Sequence, residues 1–215
     1  MGLTNFPDGI SSQGVPQMGG LGMPGTGNHY FVDYVNGSDG NKGKSANRAF
    51  KTLLQAYNTC TTGKNDVIYL IGNGASSGSH RLTTEFTWAK NAIHVVGVAA
   101  PTATAMRARI AWLSGATKTA TMFAISGSGN SFTNVHWFQD YATAGANTCI
   151  EMTGERNYFN NCHIAGGGNA TAAAHASASS LTVTGGGKNT WDNCLIGLDT
   201  VSSGGGANTV IDFVS

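Results

Sequence analysis

Three stretches of this chain can be laid over one another, and that repetition restricts the possible folds more than any other feature. Residues 122–138 (MFAISGSGNSFTNVHWF) align with 149–165 (CIEMTGERNYFNNCHIA) and, with one inserted residue, with 180–197 (SLTVTGGGKNTWDNCLIG). Phe123, Ile150 and Leu181 fall in one column, and Ile125, Met152 and Val183 in the next. Gly127, Gly154 and Gly185 follow in register. Then come the aromatics Phe132, Phe159 and Trp191, the asparagines Asn134, Asn161 and Asn193, and the small apolar residues Val135, Cys162 and Cys194. Weaker copies begin near Val67 and Ile93, and a last one near Ile211.

The first strands of these copies start 26 to 31 residues apart. Such drift suits coils whose turns vary in length while their strands do not. The strands are short and β-branched or aromatic, with Gly, Asn, Ser and Thr between them. No helical period separates them, and the leucine consensus of a leucine-rich repeat is missing. The architecture implied is all-β: a single-stranded parallel β-helix of about six coils, stacked at roughly 4.8 Å per coil. Within it Phe132, Phe159 and Trp191 form one inward stack, and Val135, Cys162 and Cys194 another. Asn134, Asn161 and Asn193 form an asparagine ladder in which each amide bonds the next coil inside a turn.

The chain before the coils divides in two. Residues 1–28 hold three of the four prolines and eight glycines, with single apolar residues and no period. Too little apolar surface is present for that segment to fold alone. It reads as an extended arm that orders on a partner through Phe6, Ile10, Val15, Met18, Leu21 and Met23. Residues 29–66 read as a cap: a strand from Tyr30, a turn cluster at Asn36–Gly40, and a helix over 45–60 with Ala49, Leu53, Leu54, Ala56 and Tyr57 on one face. Residues 67–215 carry the coils. A parallel β-helix leaves an open strand edge at each end. The helix covers the first; the second, at Asp212–Ser215, needs another subunit or further chain.

Charge excludes several functions. Lys and Arg number 12 against 11 Asp and Glu, a net charge of +1, so no basic footprint for nucleic acid or an acidic membrane exists. No window is long and apolar enough to span a bilayer, and the first residues lack the basic and apolar regions of a signal peptide. These features predict a protein made in the cytoplasm that does not leave by the ordinary export route. Cys60, Cys149, Cys162 and Cys194 have no CxxC spacing and read as buried free thiols. Each carboxylate stands alone in its column: Asp192 beside Asn160 and Thr133, Glu155 beside Ser128 and Gly186, Glu151 beside Ala124 and Thr182. Asp140 and Asp199 lie in later turns of different coils. No catalytic pair, cofactor site or metal site is therefore expected. His136 and His163 share a column about 5 Å apart on the outer face, where stacking is the expected role. Glu155-Arg156 reads as a solvated ion pair, and the GGG runs as flexible turns. The segment 170–180 reads as a surface loop or subunit contact. Trp88, Trp112 and Trp137 are the candidates for stacking against a sugar, although Trp137 aligns with Ile164 and Ile196 and so reads as core.

Residues 30–71 carry a family likeness. YFVDYVNGSDGNKGKSANRAFKTLLQAYNTC followed by DVIYLIG resembles the N-terminal cap of pectate-lyase-like right-handed β-helices, through Phe31–Asp33, Gly37–Gly40 and Phe50–Thr52. With the coils, the likeness covers about 185 residues. It implies the right-handed fold and leaves function open, because that fold hosts lyases, hydrolases, adhesins and viral structural parts. The opening LTNFPDGISSQGVPQMG resembles the start of structural proteins of tailed bacteriophages. Together the two likenesses imply a virion component on the capsid surface, of the decoration (cement) or head-fibre type, held to the major capsid protein by its arm. They also imply a homo-oligomer, with a trimer favoured by three-fold capsid sites. A tail fibre or tailspike that binds or degrades a host-surface glycan is the alternative.

Overall fold

The computed structural model describes residues 11–12, 15–16, 27–72, 78–100, 108–114, 116, 120–139, 148–173, 177–185, 187–197 and 209–214. Near the start, β1 (Ser11–Ser12) and β2 (Val15–Pro16) form a short antiparallel pair. Of the arm anchors, Phe6, Ile10, Met18, Leu21 and Met23 lie outside the described residues, and only the backbone of Val15 is described.

The cap begins with β3 (His29–Asp33), whose Tyr30 and Val32 point into the core. The helix expected over 45–60 is broken. Ala46–Arg48 forms one 3₁₀ turn, and the α-helix α1 spans only Leu53–Thr59. Between them Phe50 forms a β-bridge with Val32 and is buried, so Ala49 and Phe50 run extended instead of helical. The Asp39 carboxylate fixes this break, accepting bonds from the Lys51 and Thr52 amides and from the Thr52 hydroxyl at 2.9 Å each. Thr52 then caps α1 by accepting from the Gln55 amide.

Fifteen strands follow in groups of three. They are β4 (Asp66–Ile71), β5 (His80–Leu82) and β6 (Phe86–Trp88), then β7 (Ile93–Val98), β8 (Ala108–Trp112) and β9 (Thr121–Ile125). Next are β10 (Ser131–Thr133), β11 (Val135–Phe138) and β12 (Thr148–Met152), then β13 (Tyr158–Asn160), β14 (His163–Ala165) and β15 (Ser179–Thr184). The last group is β16 (Thr190–Asp192), β17 (Leu195–Ile196) and β18 (Thr209–Val214). Three parallel sheets result, ordered β3-β4-β7-β10-β13-β16, β5-β8-β11-β14-β17 and β6-β9-β12-β15-β18. The molecule is a parallel β-solenoid. A four-residue helix, α2 (Ala170–Ala173), precedes β15, so Ser179 and Ser180 belong to a strand and are buried, not part of a surface loop.

The coil count is lower than six. Four full turns lead from β4 to β16, and β17 and β18 add two sides of a fifth coil. The excess arises because Ile93 and Phe123 sit in the first and third sheets of one coil, β7 and β9, and were separate markers in the sequence. Within the coils the aligned columns are the strand registers. Phe132 pairs with Phe159 and Phe159 with Trp191; Phe123, Ile150 and Leu181 pair in series, as do Ile125, Met152 and Val183. The rings of Phe132 and Phe159 stack at 4.9 Å and those of Phe159 and Trp191 at 5.7 Å. Val135 and Cys162 are fully buried, and Cys194 packs partly buried against the same core.

Turn packing explains Gly127 and Gly154 of the glycine column, whereas Gly185 has open space at its Cβ position and owes its glycine to a φ of 77°. A Cβ on Gly154 would sit 2.1 Å from the carbonyl oxygen of Gly127, and one on Gly127 2.1 Å from that of Lys90. Successive turns stack backbone on backbone, which leaves no volume for a side chain.

Candidate functional site

Two sets of asparagine side chains hold the turns of the solenoid. Asn134, Asn161 and Asn193 occupy the left-handed backbone region, with φ of 56°, 49° and 49°, where asparagine is tolerated better than most residues. The Asn134 amide nitrogen donates to the carbonyls of Gly97 and Ala99 at 2.9 Å. Asn161 donates to the Asn134 side-chain oxygen at 3.3 Å, and Asn193 to that of Asn161 at 3.4 Å.

A second, better-bonded ladder runs through Asn130, Asn157 and Asn189, which the sequence reading passed over. The Asn130 side-chain oxygen accepts from the Ile93 amide at 2.9 Å. That of Asn157 accepts from the amide and the side chain of Asn130 at 3.0 Å, and that of Asn189 accepts from the Asn157 amide at 2.8 Å. Asn157 and Asn189 also donate back to the carbonyls of Gly127 and Gly154. The signal was present: each asparagine stands two residues before the aromatic of its repeat.

The remaining candidates divide between core and surface. Trp88, Trp112 and Trp137 are buried, and Trp191 packs against the same core, so none of the expected sugar-stacking rings reaches solvent. His136 and His163 stack at 4.5 Å with nearly parallel planes, but both are buried and not on an open outer face. His163 Nε2 shares a hydrogen bond with the Gly197 carbonyl at 3.0 Å. Among the described residues no group of three His, Cys, Asp or Glu converges as metal ligands. The cysteines are free, and burial pushes the Cys60 thiol up to about 12 and raises that of Cys149 as well, so both are neutral and unreactive.

Carboxylates do structural work. Fully buried Asp66 accepts from the amides of Asn28 at 2.6 Å and Thr61 at 2.7 Å, tying the cap to β4. Glu151 accepts from the Thr121 hydroxyl, and Glu155 pairs with exposed Arg156 at 3.3 Å. Asp140 and Asp199 lie outside the described residues. Asp192 is in register with Asn160 and Thr133, but it has a neighbour that the alignment did not show. The Tyr158 hydroxyl donates to it at 2.9 Å, and Asn160 donates to both at 3.1–3.2 Å. The bond to Asp192 raises the Tyr158 pKa. This exposed phenol–amide–carboxylate group lies on the outer face of the first sheet.

The two ends of the solenoid differ. At the first, Leu53, Ala56 and Tyr57 of α1 are buried. The Lys90 ammonium donates to the carbonyls of Tyr57, Asn58 and Cys60 at 2.6–3.1 Å, neutralising the C-terminal end of the helix dipole. The Tyr57 hydroxyl in turn accepts from the Ala89 and Lys90 amides. At the last coil, Ile211 continues the column Phe86–Phe123–Ile150–Leu181, and Phe213 continues Trp88–Ile125–Met152–Val183. These core positions are 39 % and 71 % exposed. Leu195 and Val210 are exposed as well, and among the described residues β16, β17 and β18 each pair with one strand.

The fold and these features define a capped parallel β-solenoid whose last coil, among the described residues, leaves Ile211 and Phe213 exposed. No family model matches the chain, and no curated protein matches it. Among solved structures it is similar to a pectin methylesterase mutant in complex with a hexasaccharide, at 15 % identity and a TM-score of 0.47, over 80 % of this chain and 50 % of that one. A rhamnogalacturonan lyase gives 15 % identity and 0.45 over 88 % and 62 %. A GH136 lacto-N-biosidase from Eubacterium ramulus gives 11 % and 0.40 over 75 % and 36 %. The chain thus spans about half the length of the first of these structures, and at such values none of them carries its activity over to this chain.

Proposed function

We propose that the chain is a structural component of a tailed-phage virion, decorating the capsid as a cement or head-fibre protein. One observation carries the structural part of this reading: among the described residues α1 covers the first end of the solenoid, and on the last coil the core-column residues Ile211 and Phe213 are exposed. Exposed core residues on a coil call for cover by further protein, from this chain or from another. The internal use of asparagines and carboxylates supports the same reading, since it leaves rigid walls and commits few polar groups to chemistry. The virion assignment rests on the likeness of residues 3–19 to phage structural proteins. In this reading the segment 1–28 binds the major capsid protein by burying Phe6, Ile10, Val15, Met18, Leu21 and Met23 in seams of the shell.

The test is mass spectrometry with stoichiometry on purified particles, together with a chain lacking residues 2–28. Hundreds of copies per particle, and loss of binding on truncation with the solenoid still folded, support the assignment. Full decoration by the truncated chain removes the arm from it. A second reading, a tail protein that touches a host-surface glycan, is favoured by the exposed Tyr158–Asn160–Asp192 group. A handful of copies co-purifying with tail parts would favour that reading and justify a polysaccharide-binding assay.

A further inference from the structure

We infer that the capped end of the solenoid is a docking face, and that its partner is an acidic protein surface presenting an apolar side chain. This rests on the reading of residues 1–28 as the attachment segment, and adds which end of the molecule meets the partner and by what chemistry. Residues 1–26 join the solenoid at Gly27, which packs against the backbone of Asn65 and Asp66 just before β3. The segment therefore starts from the capped end, which is the face nearest to anything it holds.

Charge is concentrated at that end. Residues 29–66 hold Lys42, Lys44, Arg48, Lys51 and Lys64 against Asp33, Asp39 and Asp66, whereas cations and carboxylates balance over residues 67–215. All five cations are exposed, and among the described residues none of them forms an ion pair. The three carboxylates are engaged by the cap itself: Asp33 by Val35 and Asn36, Asp39 by Lys51 and Thr52 backbone amides, and buried Asp66 by Asn28 and Thr61. Two of the cations flank the point where the segment enters. The Lys44 ammonium donates to the Asn28 side-chain oxygen at 2.9 Å, and Lys64 borders the same recess as Gly27 and Asn28.

Charge alone would suit any polyanion, and the apolar residues select a protein. Leu54 of α1 is 53 % exposed, and Val35, in the turn after β3, is 52 % exposed. Beside Leu54 a depression of about 130 Å³ opens between α1 and the β5–β6 turn, walled by Leu53, Leu54, Leu82 and Phe86. That volume admits one leucine-sized side chain. A phosphate backbone offers nothing to fill it, and the Asp33 and Asp39 carboxylates on the same end repel dense phosphate charge. An acidic protein surface meets both demands, with opposite charge around one apolar anchor.

Fluorescence anisotropy of an oligoglutamate peptide with one central leucine, titrated with the full chain at about 20 and 300 mM salt, reads the docking. Lysine acetylation with and without the peptide, followed by mass spectrometry, reads its place. The expected result is binding at low salt that is lost at high salt. Lys42, Lys44, Lys51 and Lys64 should be protected, and Lys188, in the turn leading into β16, should not. Serine in place of the leucine should weaken binding roughly tenfold, the loss of one buried leucine side chain. Joint Lys42→Glu, Arg48→Glu and Lys51→Glu should weaken it by roughly tenfold or more with an unchanged circular dichroism spectrum. No binding at low salt, protection centred on Lys188, equal affinity for the two peptides, indifference to the triple reversal at full folding, or displacement of the peptide by duplex DNA of equal charge would each overturn the inference. The protection pattern of the unaltered chain keeps the test decisive if the variant misfolds. Particle decoration is read separately, so peptide docking without decoration refutes the virion assignment alone, and decoration undiminished by the triple reversal refutes docking through the cap alone.

Discussion

Acid should destabilise this protein measurably through the buried imidazole of His80. His80 begins β5 in the inward column that continues through Ile110, Trp137 and Ile164, and it is almost wholly buried. Its Nε2 lies 3.2 Å from the Ile71 carbonyl, which fixes the neutral Nε2–H tautomer as donor, while Nδ1 is buried with no hydrogen-bond partner. Burial depresses its pKa from 6.5 to about 4, against smaller opposing effects of the Ile71 bond and the Asp33 charge. The unfolded chain therefore binds a proton in a range where the folded chain does not. His80 costs nothing above pH 6.5, and stability falls as the pH drops from there towards 4. At pH 4.5 the loss from this group alone is about 2.5 kcal/mol, from the roughly 2 pH units between 6.5 and 4.5 at about 1.36 kcal/mol each, less a small part for protonation of the folded form. Urea unfolding of the wild type and of His80→Gln, followed by tryptophan fluorescence at pH 7.5 and 4.5, measures it. Other acid-sensitive groups, including buried His94, whose pKa is also lowered by burial, are common to both proteins and cancel. The wild type should lose about 2.5 kcal/mol more than the variant between the two pH values. Equal losses would show that His80 takes up its proton inside the fold, and the argument from burial would fail.

Three further outcomes follow from the turns and the outer face. Asn157→Leu should destabilise by about 2–4 kcal/mol in chemical denaturation, because the buried Asn130 amide and Gly127 carbonyl lose their partner; a change under 0.5 kcal/mol would contradict a bonded ladder. Asn161→Ala should be less stable than Asn161→Gly by about 1 kcal/mol, since both remove the side-chain amide but only alanine resists φ of 49°; a reversed order in thermal unfolding would refute the backbone argument. Asp192→Asn should lower the Tyr158 pKa by removing the carboxylate that accepts its proton. Ultraviolet difference titration against Tyr158→Phe reads that shift directly, and an unmoved phenol would place Asp192 elsewhere.

The amino-acid sequence by itself determined the repeat, the inward columns and the corners. These depend on local chemistry: β-branched and aromatic residues alternating in short runs, asparagine where φ is positive, and glycine where turns meet. Phe132, Phe159 and Trp191 stand in register because identical turns feed each strand. Tertiary structure decided what depends on neighbours distant in the chain. The apolar spacing of Ala49, Leu53 and Tyr57 suits a helix, but the β-bridge between Phe50 and Val32 outcompeted the helical bonds and confined α1 to seven residues. The three-sided coil made Ile93 and Phe123 parts of one turn, because spacing along the chain does not show which sheet a strand joins. Register also brought Tyr158 to Asp192 across two strands and put Trp88 and Trp112 in the core, where the sequence offered them to a sugar; Trp137 is buried with them, as its alignment with Ile164 and Ile196 implied. The repeat already marked Ile211 as the start of a last copy, but only stacking shows that Phe213 continues the column of Trp88, Ile125, Met152 and Val183.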